Sequence, residues 1–182
     1  MILRGTWYSE ALKQDTNFAV VAPNTHCGPY RTAYLLHGLF GHYANYIDNT
    51  LLSVYAEQYD IMFIMPEGGR SFYIGLQYGP KYETYVTEEV PLLAKRYFAV
   101  PDDRENTLIL GASMGGYGAL RIALRNPEKY AVCCALSAPL IFTEEYFTNQ
   151  RQSGQCDLED YQAIFGEHMS FKRDYDIMTL AK

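Results

Sequence analysis

Gly111-Ala112-Ser113-Met114-Gly115 spells G-x-S-x-G, the spacing that lets a serine sit at the tip of a sharp strand-to-helix turn. A glycine is needed on each side, because a Cβ there would collide with the flanking strand and helix while the serine is held in a strained conformation. A serine displayed in this way is a candidate nucleophile for acyl chemistry. With 14 glycines and 7 serines in 182 residues, about 0.04 matches to the pattern are expected by chance. The other reading is a glycine-rich turn kept only for close packing.

A nucleophile of this kind needs N–H donors for the oxyanion that forms when it attacks a carbonyl. One donor is the amide after the serine, here Met114, and the other comes from the loop after an earlier strand. His37-Gly38-Leu39-Phe40-Gly41 follows such a strand, and Leu39 is the candidate for the second amide, with Phe40 as the alternative. His37 ends a strand expected to be buried and precedes the serine. It reads as a structural histidine that shapes the loop, more than as a base.

A third loop, Met65-Pro66-Glu67-Gly68-Gly69-Arg70-Ser71-Phe72-Tyr73, also follows an apolar strand. On a parallel sheet such loops line one crevice, so residues 37–46, 66–82 and 111–116 are expected to converge. Phe40, Tyr43, Tyr46, Phe72, Tyr73, Tyr78, Tyr82 and Tyr85 lie in or beside the first two. They offer an aromatic rim for an acyl chain, an aryl ester or a sugar face, or they pack at the surface with their hydroxyls in water. Phe40, Tyr46, Arg70 and Tyr73 are the candidate substrate contacts. Arg70 meets an anionic group on a substrate or pairs with Glu67.

Short apolar runs must position these loops, and they alternate with helical patterns. Phe18–Ala22, Thr32–Leu36, Ile61–Met65, Thr107–Leu110 and Ala131–Leu136 read as strands, several of them apolar on both faces. Tyr46–Gln58 reads as a helix, and Thr84–Phe98 carries Val86, Val90, Leu93 and Tyr97 as an amphipathic stripe. Met114–Arg125 does the same with Ala119, Leu120, Ala123 and Leu124, stopped by Asn126-Pro127. Strand and helix alternating in this order predict an α/β protein with a mostly parallel sheet and helices on both faces.

Composition narrows the function classes. With 182 residues, a net charge of −6 and 48% apolar residues, the chain fits one globular domain and has no basic stripe for a nucleic acid. No run reaches the roughly 18 apolar residues of a membrane span, and Met1–Trp7 holds no signal-peptide core, so a cytoplasmic location is expected. Cys27, Cys133, Cys134 and Cys156 form no CxxC pair and read as buried free thiols. His26 and Cys27 are too few for a zinc site, so no metal is expected.

The three motif stretches, together with Leu35-Leu36, Leu110 and Gly116-Tyr117-Gly118-Ala119-Leu120, resemble the esterase D-type esterases of the α/β-hydrolase superfamily, from about Trp7 onward. That group includes tributyrin esterases, S-formylglutathione hydrolases, feruloyl and acetyl-xylan esterases and mycolyltransferases, and the tributyrin-esterase branch is the most similar. The resemblance implies a single α/β-hydrolase domain over residues 1–182. It also implies a carboxylesterase that hydrolyses small-molecule esters through an acyl-serine on Ser113, with the amides of Leu39 and Met114 as the oxyanion hole and no cofactor.

The pattern then breaks. A serine nucleophile needs a histidine base and a carboxylate to orient it, in the order Ser, acid, His. Only His168 follows Ser113, and the acids between them, Asp157, Glu159 and Asp160 included, end no apolar strand. His168 is kept as a candidate base, while the resemblance places acid and histidine beyond Lys182, which implies a C-terminally truncated fold. Ala131–Leu136 would then be an open sheet edge, open to a homo-oligomer through that strand. An acyltransferase of the same fold and a non-catalytic, hydrolase-like binding protein are the alternatives.

Overall fold

The computed structural model describes residues 1–24, 30–98, 100–153 and 159–182. The chain runs through β1 (Ile2–Ser9), β2 (Gln14–Val21), β3 (Arg31–Leu36), α1 (Asn45–Asn49), α2 (Leu52–Tyr59) and β4 (Ile61–Pro66). It continues through α3 (Tyr82–Thr84), a π-helical turn (Tyr85–Glu89), α4 (Val90–Phe98), β5 (Thr107–Ala112), α5 (Met114–Arg125) and β6 (Val132–Leu136), and then α6 (Glu144–Ser153), α7 (Glu159–Phe165) and α8 (Ile177–Leu180). The strands form one sheet in the order β1-β2-β4-β3-β5-β6. β4, β3, β5 and β6 are parallel, and β1 and β2 join as antiparallel strands.

Parallel strands need a covering layer on each face, and two buried clusters supply it. One joins Val20, Tyr34, Ile64 and Ile109 to α4, α5 and the aromatic helices α6 and α7. The other packs Ala19, Ala33, Leu35, Phe63 and Met65 under Leu52 and Ala56 of α2. The expected aromatic, polar stretch after Phe142 caps the first cluster. The Phe142 ring lies 5.0 to 5.1 Å from Phe72, Tyr117 and Phe165.

Several expectations are corrected. The helix read as Tyr46–Gln58 is two helices, because Thr50 adopts an extended conformation and ends α1. Across the π-helical turn and α4, Val86, Val90 and Leu93 are buried, but Tyr97 is 65% exposed. Phe98 ends the stripe instead, packed 6.4 Å from Phe18. β1 lay outside the expected strands. Cys133 is half-buried, packed against the first cluster, and Cys134 is exposed on the opposite face of β6; both are free thiols. Burial, with Cys134 beside it, pushes the Cys133 thiol up to about 11. Cys27, Cys156, His26 and Asp157 lie outside the described residues. Among the described residues no helix is long and apolar enough to cross a membrane.

Among the described residues β6 is an edge strand of the sheet, with Val132 48% and Leu136 62% exposed. Unpaired edge groups flanked by apolar side chains template further pairing. The 20.8 kDa chain is therefore expected to self-associate, and light scattering after size exclusion should give at least twice that mass. Val132→Lys with Leu136→Lys should return a monomer, whereas a monomeric wild type would contradict the expectation.

The far end of α5 is fastened by charge. Arg121 is 2% exposed and sits 2.9 Å from Glu83 and 2.5 Å from Asp174, while Tyr117 Oη donates to the Tyr175 carbonyl at 2.8 Å. Both carboxylates are a quarter to a third exposed and also pair with Arg125, at 3.0 and 2.6 Å, which softens the cost of losing Arg121. Arg121→Met is expected to destabilise by roughly 2–3 kcal/mol. A denaturation midpoint together with faster proteolysis of residues 171–182 would report it, and an unchanged midpoint would contradict it.

Candidate active site

β5 enters the turn at Ala112 and α5 leaves it at Met114, the strand-turn-helix order read from the sequence. Ser113 between them has φ 56° and ψ −121°, a conformation that costs a non-glycine residue on the order of 1–3 kcal/mol. Three features hold it there. The Ser113 N–H donates to the Leu136 carbonyl at 2.8 Å, and the Ser113 carbonyl accepts the Tyr117 N–H at 3.0 Å. The turn itself closes on bare backbone: a Cβ on Gly111 would fall 2.3 Å from the Gly115 carbonyl, and one on Gly115 would fall 2.1 Å from the Leu36 carbonyl oxygen. The Ser113 side chain is left exposed.

The loop after β3 passes beside it. A Cβ on Gly38 would lie 3.6 Å from the Ser113 Cβ, and the loop turns tightly through a Gly41 N–H to Gly38 carbonyl bond of 3.0 Å. Among the described residues no backbone acceptor takes the N–H of Leu39 or of Met114. Met114 is the first residue of a 12-residue helix, where the N–H has no intrahelical partner and the helix dipole is positive. Such a setting favours negative charge developing on an oxygen near Ser113.

The three loops do converge: Gly38 lies beside Ser113, and His37, Glu67 and Tyr73 join the loop after β3 to the loop after β4. His37 is 1% exposed, and both ring nitrogens are engaged. Nδ1 donates to the Gly38 carbonyl at 2.8 Å, and Nε2, which faces Glu67, also lies 2.8 Å from the Gly68 nitrogen. Glu67 Oε1 lies 3.1 Å from the same Nε2 and accepts the Gly69 N–H at 3.0 Å, while Oε2 accepts the Tyr43 N–H at 3.3 Å. Burial by itself would raise the Glu67 carboxyl. The His37 ring and the amides of Gly69 and Tyr43 outweigh it and hold Glu67 below the usual carboxylate range.

The aromatic rim divides. Phe40 is 83% and Tyr78 85% exposed, and the Arg70 guanidinium stands 5.3 Å above the Phe40 ring. Tyr43, Tyr46 and Tyr82 are half-buried. Tyr73, expected as a substrate contact, is instead fully buried, as are Phe72 and Tyr85. Phe72 and Tyr73 have φ of 52° and 58°, which turns them under the loop, and Tyr73 Oη donates to the His37 carbonyl at 3.1 Å. Tyr46 Oη donates to the Leu36 carbonyl at 3.0 Å, so its polar end is spent on the end of β3. Burial raises the phenol pKa of both.

His168 is exposed in the turn after α7, near Gly166, whose neighbouring helix is tied to residue 77 by a Gln77 N–H to Ala163 carbonyl bond. No hydrogen bond joins it to Ser113. His42 Nδ1 accepts the Ala44 N–H at 3.2 Å. Glu67 is the residue the sequence reading undervalued. Its signal was its place just after a strand and before two glycines, but its partners lie 24 and 30 residues away.

Comparison with known proteins places this geometry. A family model described as "Putative esterase" matches residues 9–174. An acetyl esterase of Caldicellulosiruptor saccharolyticus is 28% identical over 98% of this chain and 72% of its own length. Among solved structures, the fluorophosphonate-binding serine hydrolase F of Staphylococcus aureus superposes with a TM-score of 0.83 at 28% identity, over 99% of this chain and 71% of that one. An S-formylglutathione hydrolase from Agrobacterium tumefaciens gives 0.81 at 25% identity, over 99% and 70%. The chain thus spans about 70% of the length of these relatives, and its sheet is that of an α/β-hydrolase.

Proposed function

The chain belongs to the putative esterase family of carboxylic ester hydrolases, and from that membership we propose that Ser113 is the nucleophile that takes the acyl group of a small ester. The observation that carries this reading is the exposed Ser113 hydroxyl, at a φ of 56°, on the N-terminus of α5. Oγ attacks the ester carbonyl carbon and its proton passes to solvent water, which in turn protonates the alkoxide that later departs. The carbonyl oxygen becomes an oxyanion between the N–H groups of Leu39 and Met114, and its collapse expels the alcohol and leaves an acyl-serine that water cleaves. Phe40 and Arg70 border the entrance, where they meet the substrate, while Tyr46 and Tyr73 act from behind by fixing the ends of the loop.

Attack needs a base, and the histidines placed near the loops do not serve. The ring of His37 is taken by Gly68 and Gly38, and His42 is turned to Ala44. His168 is proposed to have no part in the chemistry. Among the described residues the site therefore supplies the nucleophile and the oxyanion hole, with no histidine base and acid beside them. Such sites keep a residual acceleration on the order of 10³–10⁴ over water. An aryl ester such as p-nitrophenyl butyrate tests this, because its leaving group departs without a proton while deacylation still needs water to be deprotonated. About one equivalent of nitrophenolate should appear in a slow burst, followed by little turnover.

A further inference from the structure

We propose that Glu67 is a positioning residue for the oxyanion hole: one carboxylate grips the loop after β3 on both sides of Leu39 and so sets the direction of the Leu39 N–H. The inference rests on the reading of Leu39 as an oxyanion donor. Upstream of Leu39, Glu67 Oε1 sits 3.1 Å from the His37 ring, which itself bonds the Gly38 carbonyl at 2.8 Å. Downstream, Oε2 accepts the Tyr43 N–H at 3.3 Å. Residues 38–42 are thus a short span between two anchors on the same side chain. Glu67 is in turn fixed to the sheet, since its own N–H donates to the Asn17 carbonyl on β2 at 3.1 Å.

The charge of Glu67 would oppose an oxyanion if it were free. Here it is spent on the Gly69 and Tyr43 amides and on the His37 ring, so the carboxylate orients a donor without facing the reacting oxygen. The loop has further supports in Tyr73 Oη on the His37 carbonyl and in the Gly68 N–H on the ring. They fix the upstream end alone. Downstream, Tyr46 is tied to the Leu36 carbonyl and Tyr43 packs on the second cluster, but the Tyr43 N–H is held by Glu67, so losing the second acceptor oxygen loosens the 38–42 turn at that end.

Glu67→Gln tests this while keeping size and one acceptor oxygen, and Glu67→Ala serves as the larger change. Both are compared with the wild-type full chain in the acylation burst, using p-nitrophenyl butyrate and the matching thionoester, whose sulfur is a poor acceptor for oxyanion-hole N–H groups. In Glu67→Gln the acylation rate of the oxygen ester should fall about 10-fold or more, toward the loss of one oxyanion donor. The thionoester rate should change less, so that the oxygen-to-sulfur rate ratio falls, with the ester concentration at half-saturation within about twofold of wild type. An unchanged rate, or equal falls for both esters, would overturn the proposal while leaving Ser113 as the acylated residue. A wild type that is not acylated at Ser113 would overturn the reading on which it rests, and the two failures are distinct.

Discussion

Alanine at position 115 should cost the chain more stability than any other single methyl group described here. Its Cβ would stand 2.1 Å from the Leu36 carbonyl oxygen, 2.6 Å from the Leu36 carbonyl carbon and 2.7 Å from the His37 carbonyl oxygen. All three atoms are backbone, and Leu36 belongs to β3, which is paired on both sides by β4 and β5. No rotamer change relieves such a contact, so α5 must lift away from the sheet. Overpacking in a core typically costs about 1–3 kcal/mol, and a backbone clash of this depth lies at or above the upper end. For a chain of this length that is a fall in melting temperature of about 10 °C or more. Gly75→Ala is the control: its Cβ would meet nothing closer than the Lys81 side chain at 3.5 Å. Melting curves of the two variants should differ widely. Equal melting temperatures would contradict the packing account of the turn.

Ser113→Ala carries the largest expected effect on chemistry. The substitution removes the only atom to which the acyl group is assigned, and it leaves the loops, both amides and the sheet in place. Alanine also finds φ 56° unfavourable, as serine does, so stability should move little. The nitrophenolate burst should vanish, with the remaining release indistinguishable from the uncatalysed background. A variant that keeps the burst amplitude would assign the acyl group to another residue.

The two glycines around Ser113 explain why this part of the molecule was legible in the sequence. Their spacing is local, and the contacts they permit fall within one turn or between adjacent strands. Helix α5 accordingly matches its expected limits, Met114 to Arg125, and β5 begins at the expected Thr107 and runs two residues further, to Ala112. Tyr73 was misread for the opposite reason. Its loop placement was plain, but two consecutive left-handed residues, Phe72 and Tyr73, turn it inward, and nothing in residue type announces that at a phenylalanine or a tyrosine. β1 escaped because Ile2, Arg4, Thr6 and Tyr8 face outward while Leu3, Gly5 and Trp7 are half-buried, a mild alternation that becomes a strand through pairing with β2. Cys134 was expected to be buried because its run is apolar, yet burial depends on a covering layer that a strand cannot specify for itself.

Glu67 shows the same limit at the site. Its residue type fitted a surface ion pair, and its weight comes from contacts 24 and 30 residues away that only the fold brings together. The acid sits beneath the oxyanion loop and not beside the serine, which is why motif spacing alone did not mark it.

Intact-mass analysis followed by peptide mapping, after the full chain has reacted with p-nitrophenyl butyrate, tests the central claim most directly. One butyryl group per chain, carried by the peptide that contains Ser113 and absent from Ser113→Ala, is the predicted result. A chain that stays unmodified while its nitrophenolate signal matches background, or a butyryl group on any other residue, would contradict it.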